Sequence, residues 1–263
     1  MDLGLTEIQQ MLKTSAQDFL SRECPLTLVR EMEDDPRGFT DQLWRQMINL
    51  GWTGVAFPEQ YGGTGGNFAD LGVLLEEIGR SLAPAPFFST VVLGGMTILD
   101  AGSDAQKDDL ISRICAGTII MTMAVPEAAA AYEPWDIQAT ASQQGDGYEI
   151  TGTKLFVPDA EAADMIIVAV RTSSGQDPAE GVSLFLVPSG AAGLTIIPMQ
   201  SVGNERVFEV SLDKVSVPAD SAIGTVGEAW PIIERSIQRA TAAQCIQMLG
   251  GAEAVLDMTV EYA

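Results

Sequence analysis

The 263-residue chain contains no histidine, which removes His-based nucleophile triads and histidine metal sites from consideration. Its three cysteines, Cys24, Cys115 and Cys245, are odd in number and far apart, so they match neither a zinc spacing nor a disulfide framework. They read as core thiols in a reducing compartment. Basic residues are scarce too: 14 Lys and Arg face 36 Asp and Glu, a formal net charge of −22. Such a surface repels phosphate backbones and anionic lipid, which argues against nucleic-acid and membrane partners. No apolar run has the length of a membrane span, since "TIIMTMAV" and "MIIVAV" are strand-sized. The start "MDLGLTEIQQML" shows an acid at position 2 and helical periodicity where a signal peptide has a basic region, so cytoplasm is the expected location. The remaining means of chemistry are carboxylates, backbone donors or a bound cofactor.

Periodicity divides the chain in three. Through about residue 118 the spacing is helical: Leu5, Ile8, Leu12, Ala16 and Phe19 recur at three- and four-residue steps until Cys24-Pro25. "TDQLWRQMINLGW" predicts a second helix with Leu43, Met47 and Leu50 on one face and Gly51 at its end. Asn67 caps a third, with Asp70 in the capping-box position, a stripe of Leu71, Leu74, Leu75 and Ile78, and a Glu76–Arg80 pair outside. "LAPAP" ends that helix, and "SDAQKDDLISRICAGT" gives another between Ser103 and Gly117. From residue 119 to about 225 the pattern changes to short strands: "IQATAS", "YEI", "KLFV", "DMIIVAV", "GVSLFLV", "LTIIP" and "VFEVSL". That spacing predicts an antiparallel β-barrel or sandwich. From 226 to 263 the pattern is helical again and reaches no stop signal, as expected for the start of an incomplete helical bundle. The fold class is therefore α+β and multidomain, divided at 1–118, 119–225 and 226–263.

One loop needs separate treatment. "PEQYGGTGGNFADLGVLLEEIGR" places four glycines in five residues ahead of a helix. It has no Lys in reach and does not follow a strand, so it fits neither phosphate-binding fingerprint. The glycines instead permit left-handed backbone angles and close helix approach.

Four segments in order, "FPEQYGGTGGNFADLGVLLEEIGR", "GSDAQKDDLISRICAGT", "YEITGTKLFVPDAEAADMIIVAVRT" and "VSLDKVSVPADSAIGTVGEAW", resemble landmarks of the acyl-CoA dehydrogenase family and span nearly the whole chain. The resemblance implies a helical domain, a central β-domain and a C-terminal bundle that packs into a dimer of dimers. It implies FAD between β-domain and bundle, with a glutamate removing the α-proton of an acyl-CoA and flavin N5 receiving the β-hydride. It places Leu75 on the helix that shapes the acyl pocket.

The same resemblance assigns flavin contacts to Met123, Ala124, Val125, Pro126, Glu127 and Tyr132, and to Phe156, Val157 and Pro158. The family's first flavin motif runs approximately T-E-P-x-A-G-S-D, and the matching stretch here is "PEAAAAYE". Pro126 stands where threonine offers hydroxyl and amide, and Ala131 where glycine precedes the end of the motif. The second motif, W-I-T, is "FVP": Phe156 keeps a ring to stack on flavin, while Pro158 lacks the hydroxyl. The two segments are expected to line one cleft of the β-domain. The base is not assigned: residues 239–241, which match one family position for it, hold no carboxylate, and Glu234 reads as a helical surface charge. Most members place it beyond the equivalent of residue 263. Arg206 is a candidate for the charged coenzyme A tail, because any such site on so acidic a chain needs local positive charge. Three functions stay open: a dehydrogenase, a partner subunit in a hetero-oligomer with a related chain, and an acyl-thioester-binding module without redox activity.

Overall fold

Helices form where apolar periodicity and capping residues agree. The computed structural model describes residues 4–130, 132–203 and 205–263. Its α-helices are α1 (Glu7–Glu23), α2 (Leu26–Asp34), α3 (Asp41–Asn49), α4 (Phe68–Ser81), α5 (Met96–Ala101), α6 (Asp104–Gln106), α7 (Ser112–Cys115) and α8 (Trp230–Tyr262). The strands are β1 (Met121–Ala124), β2 (Thr140–Gln144), β3 (Gly147–Pro158), β4 (Met165–Arg171), β5 (Val182–Pro188), β6 (Leu194–Met199), β7 (Val207–Pro218) and β8 (Ala222–Ile223). Two compact units result: residues up to Ala85 together with Arg239–Ala263, and Pro86–Gln238. Among the described residues no helix is long and apolar enough to cross a membrane.

In the helical unit, Thr6, Thr40 and Asn67 cap α1, α3 and α4 through their side chains. Asn67 and Asp70 form the expected capping box, satisfying two orphan amides of the first turn. Leu71, Leu74, Leu75 and Ile78 are buried. Leu50, expected beside Leu43 and Met47, is instead exposed, because the chain turns there ahead of Gly51 at φ 76°. The expected Glu76–Arg80 pair also does not form. Lys13 of α1 takes Glu76 at 2.5 Å, and Arg80 pairs with Glu253 and Asp257 of α8. Partners on adjoining helices have displaced the local i,i+4 partner. Two helical stretches lie outside the individually predicted helices: α2, directly after Pro25, whose Leu28, Val29 and Met32 form a short half-buried stripe, and the π-helical turns Phe88–Gly95 that lead into α5.

The glycine loop now has a physical account. A Cβ on Gly63 would lie 2.1 Å from Phe57 O, and one on Gly66 would lie 2.4 Å from Val55 O, so the chain folds back on itself there. Within the same unit α4 and α8 touch backbone to backbone. A Cβ on Gly79 would lie 2.1 Å from Gln247 O, and one on Gly250 would lie 1.9 Å from Glu76 O. Neither glycine supplies a ligand cradle; they set the helix spacing.

In the second unit the strands hydrogen-bond in the order β6-β7-β3-β2-β4-β5-β8, with β1 joined to β4. The helix–strand–helix order matches expectation, but two details of the β-domain differ. The sheet is mixed: β1 runs parallel to β4, from Met121↔Met165 to Ala124↔Val168, while β3–β7 and β4–β5 are antiparallel. β1 enters from α7 and meets β4 only after the β2–β3 hairpin, so this pair is not constrained to reverse direction. The sheet also does not close into a barrel, since β8, two residues long, presents too short a ladder to reach the β6 edge. "YEI" and "KLFV" are parts of one strand, β3, because Gly152 at φ 153° accommodates a register shift where other residues would imply a break. Its core includes Ala124, Ile150, Val157, Ile166, Phe185, Phe208 and Val215.

Candidate functional site

The end of β1 and the end of β3 are neighbours. Leu155 N–H donates to Pro126 C=O at 2.9 Å, and Thr122 Oγ1 donates to Pro158 C=O at 2.6 Å. Residues 123–127 and 156–158 therefore run side by side. Met123, Ala124, Val125, Pro126 and Val157 are buried, Pro158 is half-buried, and only the Tyr132 and Phe156 side chains of the candidate set are exposed. Ala131 lies outside the described residues.

Simple alternation along β3 would bury Phe156 along with Ile150 and Lys154. A bulge prevents it. Between Lys154↔Val210 and Val157↔Phe208, β3 advances one residue more than β7, and Phe156 sits at φ 55°. The extra residue turns Val157 inward and Phe156 outward, at 45% exposure. The backbone spends strain on presenting this one ring.

Glu127 faces the other way. Its carboxylate accepts from the backbone N–H groups of Gln138 and Ala139 at 3.0–3.2 Å, and from Lys154 Nζ at 2.6 Å. Lys154 is wholly buried and also donates to Val125 C=O at 3.1 Å. Burial of the ammonium pulls its pKa down to about 8 against the opposing pull of Glu127. This ion pair and the Leu155–Pro126 bond hold three consecutive residues, 125 to 127, against β3. Sequence reasoning missed Lys154. The signal was a lysine two steps from Gly152 on the inward side of an otherwise apolar strand face.

Arg206, in the segment before β7, accepts the Asp159 N–H on its carbonyl at 3.0 Å, and its charge acts on the Asp159 carboxylate. Arg171, another of the few cations, is committed to structure, donating to the carbonyls of Pro134, Ile137, Pro178 and Glu180. Leu75 belongs to the core of the helical unit. Glu234 is exposed on α8.

Comparison with known proteins decides the family. Residues 6–118 match the model of the acyl-CoA dehydrogenase N-terminal domain, and residues 122–215 match that of its middle domain. The chain belongs to the acyl-CoA dehydrogenase family. It is 30% identical to the short-chain-specific acyl-CoA dehydrogenase of Megasphaera elsdenii, with all of this chain and 70% of that protein aligned. It is 28% identical to the probable acyl-CoA dehydrogenase YngJ of Bacillus subtilis, again over the whole chain and 70% of the relative. Among solved structures, butyryl-CoA dehydrogenase from Megasphaera elsdenii superposes with a TM-score of 0.90 at 28% identity, covering all of this chain and 70% of that one. The ChsE4–ChsE5 complex from Mycobacterium tuberculosis gives 0.88 at 27% identity. The acyl-CoA dehydrogenase fold thus accounts for the whole described chain, including the joined ends of β1 and β3.

Proposed function

We propose that this chain serves the α,β-dehydrogenation of an acyl-CoA thioester, with FAD as hydride acceptor lying against residues 123–127 and 156–158. The observation that carries the reading is the pairing of those segments by the Leu155–Pro126 and Thr122–Pro158 hydrogen bonds. When bound, the flavin supplies the hydride acceptor. The chain's own residues hold and shield it. Phe156 presents a ring face on its left-handed backbone, and Tyr132 is a second exposed aromatic residue of the first segment. These residues fit a flat apolar ring. They do not reproduce the hydroxyl contacts of the family, since Pro126 and Pro158 have neither N–H nor hydroxyl. The Glu127 carboxylate, the Val125 and Pro126 carbonyls and the Pro158 carbonyl are all engaged within the protein. The hold rests on ring contact and shape. Arg206 offers positive charge to a coenzyme A phosphate, and Leu75 bears on acyl length only through the packing of α4.

The two prolines and the lack of a carboxylate at residues 239–241 favour a second form of the same reading. In it, this chain works in the cytoplasm in a hetero-oligomer with a related chain that supplies the proton-abstracting base. Titration of the full chain with FAD, followed by quenching of flavin fluorescence, tests the reading with and without a related full-length chain. Saturable binding, weakened about tenfold by Phe156→Ala, is expected from the loss of a stacking face. Absence of binding under both conditions would remove the flavin from the site.

A further inference from the structure

Arg171 ends β4, and it is one of 14 Lys and Arg in a chain with 36 Asp and Glu. Among the described residues its guanidinium nevertheless takes no carboxylate; its four hydrogen bonds all go to backbone carbonyls. Nε donates to Ile137 at 3.2 Å, Nη1 to Glu180 at 2.9 Å, and Nη2 to Pro134 at 2.6 Å and Pro178 at 3.1 Å. The group also stands at one end of a series of hydrogen bonds that leads to the first flavin segment. The peptide group between Ile137 and Gln138 is held at both ends, its C=O by Arg171 Nε and its N–H by the Glu127 carboxylate at 3.0–3.1 Å. Ala139 repeats the pattern: its N–H donates to Glu127, and its C=O accepts from the Arg171 backbone N–H at 2.7 Å. Glu127 in turn takes Lys154, which donates to Val125 C=O. Arg171 and Glu127 thus grip residues 137–139 from opposite sides. Dipoles aligned in series polarise one another, so these bonds support each other more than isolated pairs do.

We propose that Arg171 is a positioning residue for cofactor binding: by fixing residues 134–139 it holds the Glu127 carboxylate, and through it residues 125–127, in the arrangement that receives the flavin. This rests on the reading of residues 123–127 and 156–158 as the flavin segments. A guanidinium suits the task because its planar fork spans several carbonyls at fixed angles, whereas an ammonium is a point charge on a flexible stem. Its loss leaves the Pro134 and Ile137 carbonyls to water and frees residues 137–139 to move. Glu127 then keeps Lys154 but loses the fixed amides that orient it. A segment that holds its binding arrangement for roughly one-tenth of the time binds its ligand about tenfold more weakly.

The test pairs FAD affinity of the full chain, read by quenching of flavin fluorescence, with hydrogen exchange of the free chain. Arg171→Met is expected to raise the FAD Kd about tenfold and to speed amide exchange over residues 127–139. Arg171→Lys retains the charge without the fork and should bind FAD nearly as weakly. Should Arg171→Met fail to fold, Arg171→Lys carries the same two readouts. Val215→Ala opens a cavity in the core of the same sheet; it should lower the urea midpoint and leave both readouts at wild type. Wild-type FAD affinity in Arg171→Met, or unchanged exchange over 127–139, overturns the positioning role. Full affinity in Arg171→Lys means that charge alone suffices and overturns it as well. A comparable loss of affinity in Val215→Ala reduces the effect to general loosening of the sheet, with the same consequence. If wild type binds no FAD, the flavin reading fails and takes the role of Arg171 with it. If wild type binds and the Arg171 variants bind equally, the flavin reading stands and the role of Arg171 alone falls.

Discussion

Replacing Lys154 by Met should destabilise the Pro86–Gln238 unit severely, and the size of the effect follows from what the ammonium touches. Lys154 has no exposed surface, while Glu127 retains 7%. Removing the cation leaves a buried carboxylate facing a methyl group, with only the Gln138 and Ala139 amides as support. Breaking a buried ion pair from one side typically costs about 3–5 kcal/mol, because the surviving charge is uncompensated. The Val125 carbonyl also loses its Lys154 donor, a further ~1–3 kcal/mol if no water replaces it. Domains of this size are stable by only about 5–15 kcal/mol, so the single substitution should shift the urea midpoint by a large fraction of its value. The double variant Glu127→Gln/Lys154→Met removes both charges. It should recover at least about 2 kcal/mol relative to Lys154→Met alone, since a neutral amide is far cheaper to bury than a carboxylate. The assay is urea unfolding of both variants and wild type, compared at unchanged m-value. A loss below about 1 kcal/mol for Lys154→Met would refute the reasoning, as would a double variant no more stable than the single one.

Three other outcomes are expected. The folded-state pKa of Lys154, about 8 against an ordinary 10.5, means that the unfolded chain binds the extra proton between those values. The Lys154 contribution to stability therefore rises with pH across that window, and Lys154→Met should flatten the rise in unfolding midpoints measured from pH 7.5 to 10. Gly79→Ala places a Cβ 2.1 Å from the Gln247 carbonyl, where backbone must move. A loss of about 1–3 kcal/mol is expected despite the better helix propensity of alanine, and thermal unfolding that shows a gain would contradict the close α4–α8 contact. The isolated chain, supplied with FAD, should not dehydrogenate acyl-CoAs in an electron-acceptor assay, because a missing general base alone costs about two to four orders of magnitude in rate. Turnover at an ordinary enzymatic rate would require a carboxylate base within these residues, with Glu234 and Glu127 the first to test.

The sequence by itself determined the order helix–strand–helix, the capping box of Asn67 and Asp70, and the buried stripe of α4. Each depends on neighbours three or four residues away, where local sterics and hydrogen bonding suffice. It also placed the candidate segments by their likeness to family landmarks, and the Pro126 and Pro158 departures are visible without coordinates. What it did not determine depends on partners far along the chain. Arg80 left Glu76 for α8, a separation that periodicity does not encode. The parallel β1–β4 pair and the open sheet edge depend on which strands meet, not on their individual patterns. Phe156 turned outward because β7 fixes the register of β3 on both sides of a bulge. The inward turn of Glu127 toward Lys154, and the hydrogen bond from Ser89 to Asp159, likewise came only from tertiary packing. Burial makes an unpartnered charge too costly to keep, and only the folded chain brings the partner within reach.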